Sequence, residues 1–210
     1  MALEQLSPNT VHLVIDMQRL FAEATDWHTP VIADILPNVL RLCEAREGRT
    51  IFVRFMVPDT IDKAQGRWKT YYRRWATIAS EAPASGLLDL VAPLAALADD
   101  RSTVEKYTYS VFGAPGFTER LRAEGIDALV FSGVETDVCI YASVLAAIDQ
   151  GFRVVIATDA VGSSDVAAHE ATMNILAPRL SEQLEMSTTQ AILDAWDANA
   201  IPVYATTQLV

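Results

Sequence analysis

Cys139 stands in a setting that chemistry could use. It lies in SGVETDVCIYAS (residues 132–143), where an apolar, β-rich run gives way through Ser-Gly to a helical pattern. The thiol is therefore expected in the first turn of a helix, where backbone N–H groups lack intrahelical partners and the helix dipole favours an anion. That placement lowers a thiol pKa, while the adjacent Glu135 and Asp137 raise it. A base that takes the proton only during reaction would avoid this conflict, and Asp16 is the candidate. Asp16 ends the apolar run 11–16, and Lys106 falls near the end of a weaker run, 102–107. In open α/β sheets, ligands bind beyond the carboxyl ends of the strands. An acid, a lysine and a thiol are thus expected at one rim, with Asp159, near the end of the run 152–160, beside them. The other cysteine, Cys43, sits in VLRLCEAR without polar company and reads as packing.

These positions depend on the elements between them. Apolar runs at 11–16, 49–57, 102–107, 127–134 and 152–160 read as strands. They are mostly continuous rather than alternating, as expected of strands covered on both faces. Helical patterns separate them at 37–48, 116–125, 136–151, 164–180 and 187–196. Pro37, Thr118, Ser164 and Ser187 are the expected helix starts, and Gly48, Gly125 and Gly151 the stops. The alternation predicts an α/β fold of three layers, α/β/α, with a central, mostly parallel sheet. One domain over residues 1–210 is expected, with an excursion at about 58–101 that is rich in Trp, Tyr and Arg, passes over the sheet's edge and is partly helical.

Composition removes several function classes. With 27 acids against 16 bases, the chain carries a formal charge of −11. Nucleic acid is then not an expected partner, because phosphate binding needs a basic face. No apolar run approaches the ~18 residues of a membrane span, and the first residues lack a secretory pattern. Two cysteines make no disulfide framework. The expectation is a cytoplasmic protein with reduced thiols.

Three stretches carry a resemblance. VIDMQRLF (14–21), VEKYTYSVF (104–112) and FSGVETDVCIYAS (131–143) resemble motifs of the isochorismatase-like cysteine hydrolases, a superfamily that includes nicotinamidases and N-carbamoylsarcosine amidohydrolase. The resemblance runs from about residue 11 to residue 180. It implies a catalytic triad of Asp16, Lys106 and Cys139. It also implies a cis peptide bond between Val134 and Glu135, and an oxyanion hole made by the backbone N–H groups of Glu135 and Cys139. The implied reaction is cleavage of a C–N bond in a small amide, carbamoyl or ureido compound through a Cys thioester. The alternatives are an isochorismate-type vinyl-ether hydrolase and a non-catalytic redox or ligand-binding module. Relatives of this fold are commonly oligomeric, which implies a homo-oligomer, dimer or tetramer, with 58–101 contributing.

Two departures narrow the resemblance. Nicotinamidases of this fold carry metal-binding histidines after the second strand, but residues 53–75 contain no His. His12 begins a strand and His169 lies inside a helix. His28 lies in a loop where it could touch substrate, but one His does not make a metal site. No metal and no cofactor are expected. The retained Cys139 favours acyl transfer over vinyl-ether hydrolysis. The expected partner is a small-molecule substrate, with Phe21, Trp27, Phe55, Trp68, Tyr72, Trp75, Tyr109 and Phe112 as candidate pocket residues, about half of them core packing. The segment GRWKTYYRRW (66–75) could bind a substrate carboxylate, or serve as a snorkelling face or a subunit contact.

Overall fold

The computed structural model describes residues 3–82 and 85–196. Residues 1–2, 83–84 and 197–210, which belong to the expected domain and excursion, lie outside the described residues. In chain order the elements are β1 (Thr10–Ile15), α1 (Arg19–Ala22), α2 (Ile32–Ala45), β2 (Thr50–Phe55), α3 (Trp68–Arg74), α4 (Ala76–Glu81), α5 (Ala92–Ala95) and β3 (Thr103–Lys106). There follow α6 (Phe117–Ala123), β4 (Ala128–Val134), α7 (Tyr141–Asp149), β5 (Arg153–Gly162), α8 (Val166–Ala171), β6 (Leu184–Ser187) and α9 (Thr189–Ala195). The six strands form one sheet in the order β3-β2-β1-β4-β5-β6. Every neighbouring pair is parallel.

Parallel neighbours need crossover connections, and the intervening helices supply them. β1 and β4, adjacent at the centre, are buried at every position, which is why both read as unbroken apolar runs. The five expected strands are present. The sixth, β6, is read from LEMS, which has no β-branched residue to mark it.

Helix boundaries differ from the sequence reading where capping chemistry decides them. α2 begins at Ile32, not Pro37, because Ile32 and Ile35 extend the buried face that continues through Val39, Leu42 and Cys43. Pro37 is tolerated inside this helix. Asp165 caps α8 by accepting from the Ala168 N–H, and Thr188 caps α9 by accepting from the Ala191 N–H. Each is one residue after the expected serine and is extended, as an N-cap must be. Gly116, at φ 75°, precedes α6 in place of Thr118.

The excursion contains α3, α4 and α5. Its return leg lies against the segment after β1. Leu20 N–H donates to the Leu87 carbonyl at 2.7 Å, Arg19 N–H to Asp89 at 2.9 Å, and Val91 N–H to Met17 at 3.0 Å. It therefore folds across the carboxyl end of a central strand and is not confined to the sheet's edge.

Candidate active site

Asp16 follows β1, Lys106 is the last residue of β3, and Cys139 lies in a π-helical turn, Thr136–Ile140, that follows β4. The topology brings these three side chains together. Lys106 Nζ donates to Asp16 Oδ2 at 2.8 Å, to Cys139 Sγ at 3.3 Å and to the Thr108 carbonyl at 3.2 Å. All three ammonium hydrogens are thus used. The Phe55 ring lies under the same ammonium, 4.6 Å from its centroid. Lys106 is 0% exposed, Asp16 1% and Cys139 6%. Asp159 does not join them. Its carboxylate turns to the start of α9 and accepts from the Thr189 N–H at 2.7 Å and hydroxyl at 2.8 Å.

Several features fix this geometry. Asp16 has φ 55°, left-handed backbone that a non-glycine residue adopts at a cost. Gly133, at φ 107°, packs on Ile15, and a Cβ there would stand 2.1 Å from the Ile15 carbonyl oxygen. The buried Gln18 amide accepts from Phe55 N–H at 2.7 Å and donates to the carbonyls of Phe55 and Leu88 at 3.1 and 2.8 Å. It ties the end of β2 to the excursion beside Asp16. Ser143 Oγ donates to the Cys139 carbonyl at 2.7 Å and accepts from Val111 N–H at 3.0 Å. This joins the cysteine turn to the loop after Lys106. Ser163 Oγ accepts from Thr136 N–H at 2.9 Å and donates to Asp137 at 2.5 Å. The Val134–Glu135 peptide bond is cis. The Glu135 carboxylate accepts from the Ser164 N–H at 2.9 Å, from the Ser164 hydroxyl, and from Thr29 Oγ1 at 3.4 Å.

Electrostatics decide the protonation left open by the sequence. Burial pushes the Cys139 thiol well above its usual range and Asp16 raises it further, while Lys106 pulls it down. It rests as a thiol. Burial also raises the Asp16 carboxyl, against the opposing pull of Lys106. Burial opposes the charge on Lys106, but attraction to the Asp16 carboxylate, with the hydrogen bonds to Asp16 and Cys139, outweighs it and holds the ammonium. Cys43 is different. Burial pushes it up to about 12, and its sulfur lies 3.8 Å from His12 Nδ1, so the sequence reading that left it without polar company is corrected.

A cavity of about 340 Å3 opens onto Asp16 and Cys139. Of the eight aromatic candidates, Phe21, Trp27, Phe55, Trp75 and Tyr109 line it. Trp68 and Tyr72 face a separate cavity near Glu105 and Tyr107. Phe112 packs on Phe117 and Phe152, with ring centroids 5.4 and 6.0 Å away. The reason for the split within the excursion is helical phase: Trp75, just past the end of α3, lies one turn after Tyr71, and Tyr72 lies one turn after Trp68 on a different face. Tyr71, Arg74, Asp26, Val138, Glu135 and Ser164 also line this cavity; Tyr71 and Arg74 belong to the segment 66–75 read as a possible carboxylate binder, whereas Asp26 and Val138 were not singled out from the sequence. His28 is on its wall too. His12 lies buried against Ser132, and His169 Nδ1 meets Thr136 Oγ1 at 2.9 Å. Among the described residues, no three His, Cys, Asp or Glu side chains are gathered to hold a metal ion, and no helix is long and apolar enough to cross a membrane.

Known proteins share this arrangement of sequence and fold. The family model for the isochorismatase domain matches residues 10–190. A maleamate amidohydrolase from Pseudomonas putida is 32% identical over 77% of this chain and 76% of its own. A probable inactive nicotinamidase from Arabidopsis thaliana is 31% identical over 80% of this chain and 87% of its own. The crystal structure of a cysteine hydrolase from Pseudomonas syringae pv. phaseolicola superposes with a TM-score of 0.77 at 23% identity, covering 93% of this chain and 96% of that one. A parallel six-stranded sheet of this order and a family match across most of its length make this chain a member of the isochorismatase family of hydrolases.

Proposed function

We propose that the protein is a metal-independent cysteine hydrolase that cleaves a C–N bond of a small amide, carbamoyl or ureido compound. The observation that carries this reading is a single lysine Nζ in contact with both a buried carboxylate and a thiol, at a cavity wall. A structural ion pair would not need the thiol, and buried pairs are poor stabilisers in their own right.

The chemistry follows from the resting protonation. Asp16 takes the Sγ proton as Cys139 attacks the carbonyl carbon, so charge forms on sulfur only as the new C–S bond does. The oxyanion is held by the backbone N–H groups of Glu135 and Cys139, each such donor being worth ~3–4 kcal/mol. The C–N bond breaks as Asp16 returns its proton to the departing nitrogen. Water, deprotonated by Asp16, then attacks the thioester and restores the thiol. Lys106 stays charged throughout and offsets the negative charge as it moves between oxygen and sulfur.

The test is ammonia release from small primary amides and ureido acids, before and after dialysis against EDTA, with Cys139→Ala as the blank. Release from at least one compound, unchanged by EDTA and absent in Cys139→Ala with an unchanged circular dichroism spectrum, is expected. Turnover that survives Cys139→Ala, or that EDTA abolishes, would overturn the proposal. Pyruvate without ammonia from an isochorismate-type vinyl ether would support the rival chemistry.

A further inference from the structure

Arg74 lies on the wall of the cavity that contains Cys139, at the end of α3. Among the described residues it makes no ion pair. The other charges there are largely committed. Asp16 is paired with Lys106, and Glu135 is bound by Ser164 and Thr29. Asp26 and His28 are exposed on the wall, and neither has a hydrogen bond from its side chain to the described residues. Arg74 does have an orienting contact. Its guanidinium carbon lies 5.1 Å from the centroid of the Trp75 ring, and that ring meets Trp27 edge-on at 6.2 Å. Both tryptophans line the same cavity.

A guanidinium stacked on an aromatic ring loses little further freedom on binding, and its planar fork matches a carboxylate with two parallel hydrogen bonds. The cavity, at about 340 Å3, admits only a small molecule. We propose that Arg74 recognises a carboxylate on the substrate, so that the compounds cleaved are short amides, carbamoyl or ureido acids rather than neutral amides. The anion-binding half of this inference stands on Arg74, and the cleavage half rests on the hydrolase reading above. Asp26 supplies the competing expectation, a preference for a cationic amide.

Binding and turnover separate the two halves. Cys139→Ala protein is titrated calorimetrically with succinamate, with the neutral succinamide and with the cationic β-alaninamide, three primary amides of similar length. Succinamate should bind about 10- to 100-fold more tightly than either, the range expected for a charge-assisted contact. Arg74→Gln, placed in the same background, should remove that preference without lowering Tm, since the side chain is exposed. In Cys139-intact protein the kcat/KM ratio of succinamate to succinamide should fall by a similar factor on Arg74→Gln. Equal affinity for the three compounds, no binding of any, a preference for β-alaninamide, or a succinamate preference that survives Arg74→Gln would each overturn the carboxylate assignment. A preference that depends on Arg74, with no ammonia released from any amide tested, would sustain the anion site and overturn the hydrolase reading.

Discussion

In the proposed mechanism Asp16 is the base, and burial raises its carboxyl while Lys106 keeps that rise in check. The reactive form on this mechanism has Asp16 ionised and Cys139 protonated. As pH falls, Asp16 gains a proton and the base is lost, so kcat/KM should drop on the acid side. An unperturbed carboxylate titrates near ~4, and the raised Asp16 puts the acid limb above that value. No alkaline fall is expected through neutral pH, because the Cys139 and Lys106 values are both raised from 9.0 and 10.5. The apparent value belongs to the Asp16–Cys139 pair and not to one residue. A pH–rate profile checks this, and an acid limb at or below the ordinary carboxylate value would count against it. Asp16→Asn should lower kcat by about 100- to 10,000-fold, the span of general-base effects. At this scale the sequence placed Asp16 and Lys106 at strand ends and Cys139 in the turn after a strand, and their side chains do meet, but Asp159, expected at the same rim, turns to Thr189. The sequence was uninformative inside GRWKTYYRRW, where four aromatics occur within one helical segment and only the packed helix selects Tyr71 and Trp75 over Trp68 and Tyr72. Arg74 followed the same rule: its charge was visible but its direction was not.

Between elements, β4 meets β1 at Gly133 with no room for a side chain. With positive φ and backbone 2.1 Å from a built Cβ, there is no flexible side chain to yield. Gly133→Ala must move one of the two strands that carry the site, because Asp16 follows Ile15 and the cysteine turn follows Val134. We expect a loss of about 1–3 kcal/mol or more in stability, as for overpacked or conformationally strained sites. Turnover should fall as well, even at temperatures where the variant is folded. Denaturant titration and a rate assay on the same sample check both, and a variant with wild-type stability and rate would contradict the argument. Sequence showed Gly133 as a strand-to-helix turn. It gave no sign that the turn also needs room for Ile15, nor that the following residues form a π-helical turn, because both depend on contacts far apart in the chain. The bridging hydroxyls of Ser143 and Ser163 were hidden for the same reason.

For the whole molecule, the acid response should be set in part by His12. It is buried, hydrogen-bonded to Ser132 at 2.7 Å, and held down to about 3 by burial. An unfolded His titrates near 6.5. Below that value the unfolded chain takes up the proton and the native state does not, so stability is complete above about pH 6.5 and is lost as pH falls toward 3. Between the two values the slope is about 1.4 kcal/mol per pH unit for the one proton involved. Asp16 works in the opposite sense, since its raised folded value favours the native state at low pH and costs stability once pH rises past the unfolded carboxylate value. Where the two windows overlap, Asp16 offsets part of the slope that His12 contributes. Subtracting the Tm–pH curve of His12→Gln from that of the unaltered protein isolates the histidine, and a difference that does not grow below pH 6.5 would remove it from the account.

Lys106 reaches the site from the outermost strand on one side. β3 has four residues, pairs only with β2, and delivers its lysine to partners that follow β1 and β4. Edge strands open at lower free energy than central ones. The site thus depends on a short edge strand to hold charge against two central ones. Peeling back that one strand uncouples an enzyme that is still mostly folded. Along a denaturant series, catalysis should vanish ahead of the far-ultraviolet signal, and the interval between the two midpoints would gauge how firmly β3 is fastened.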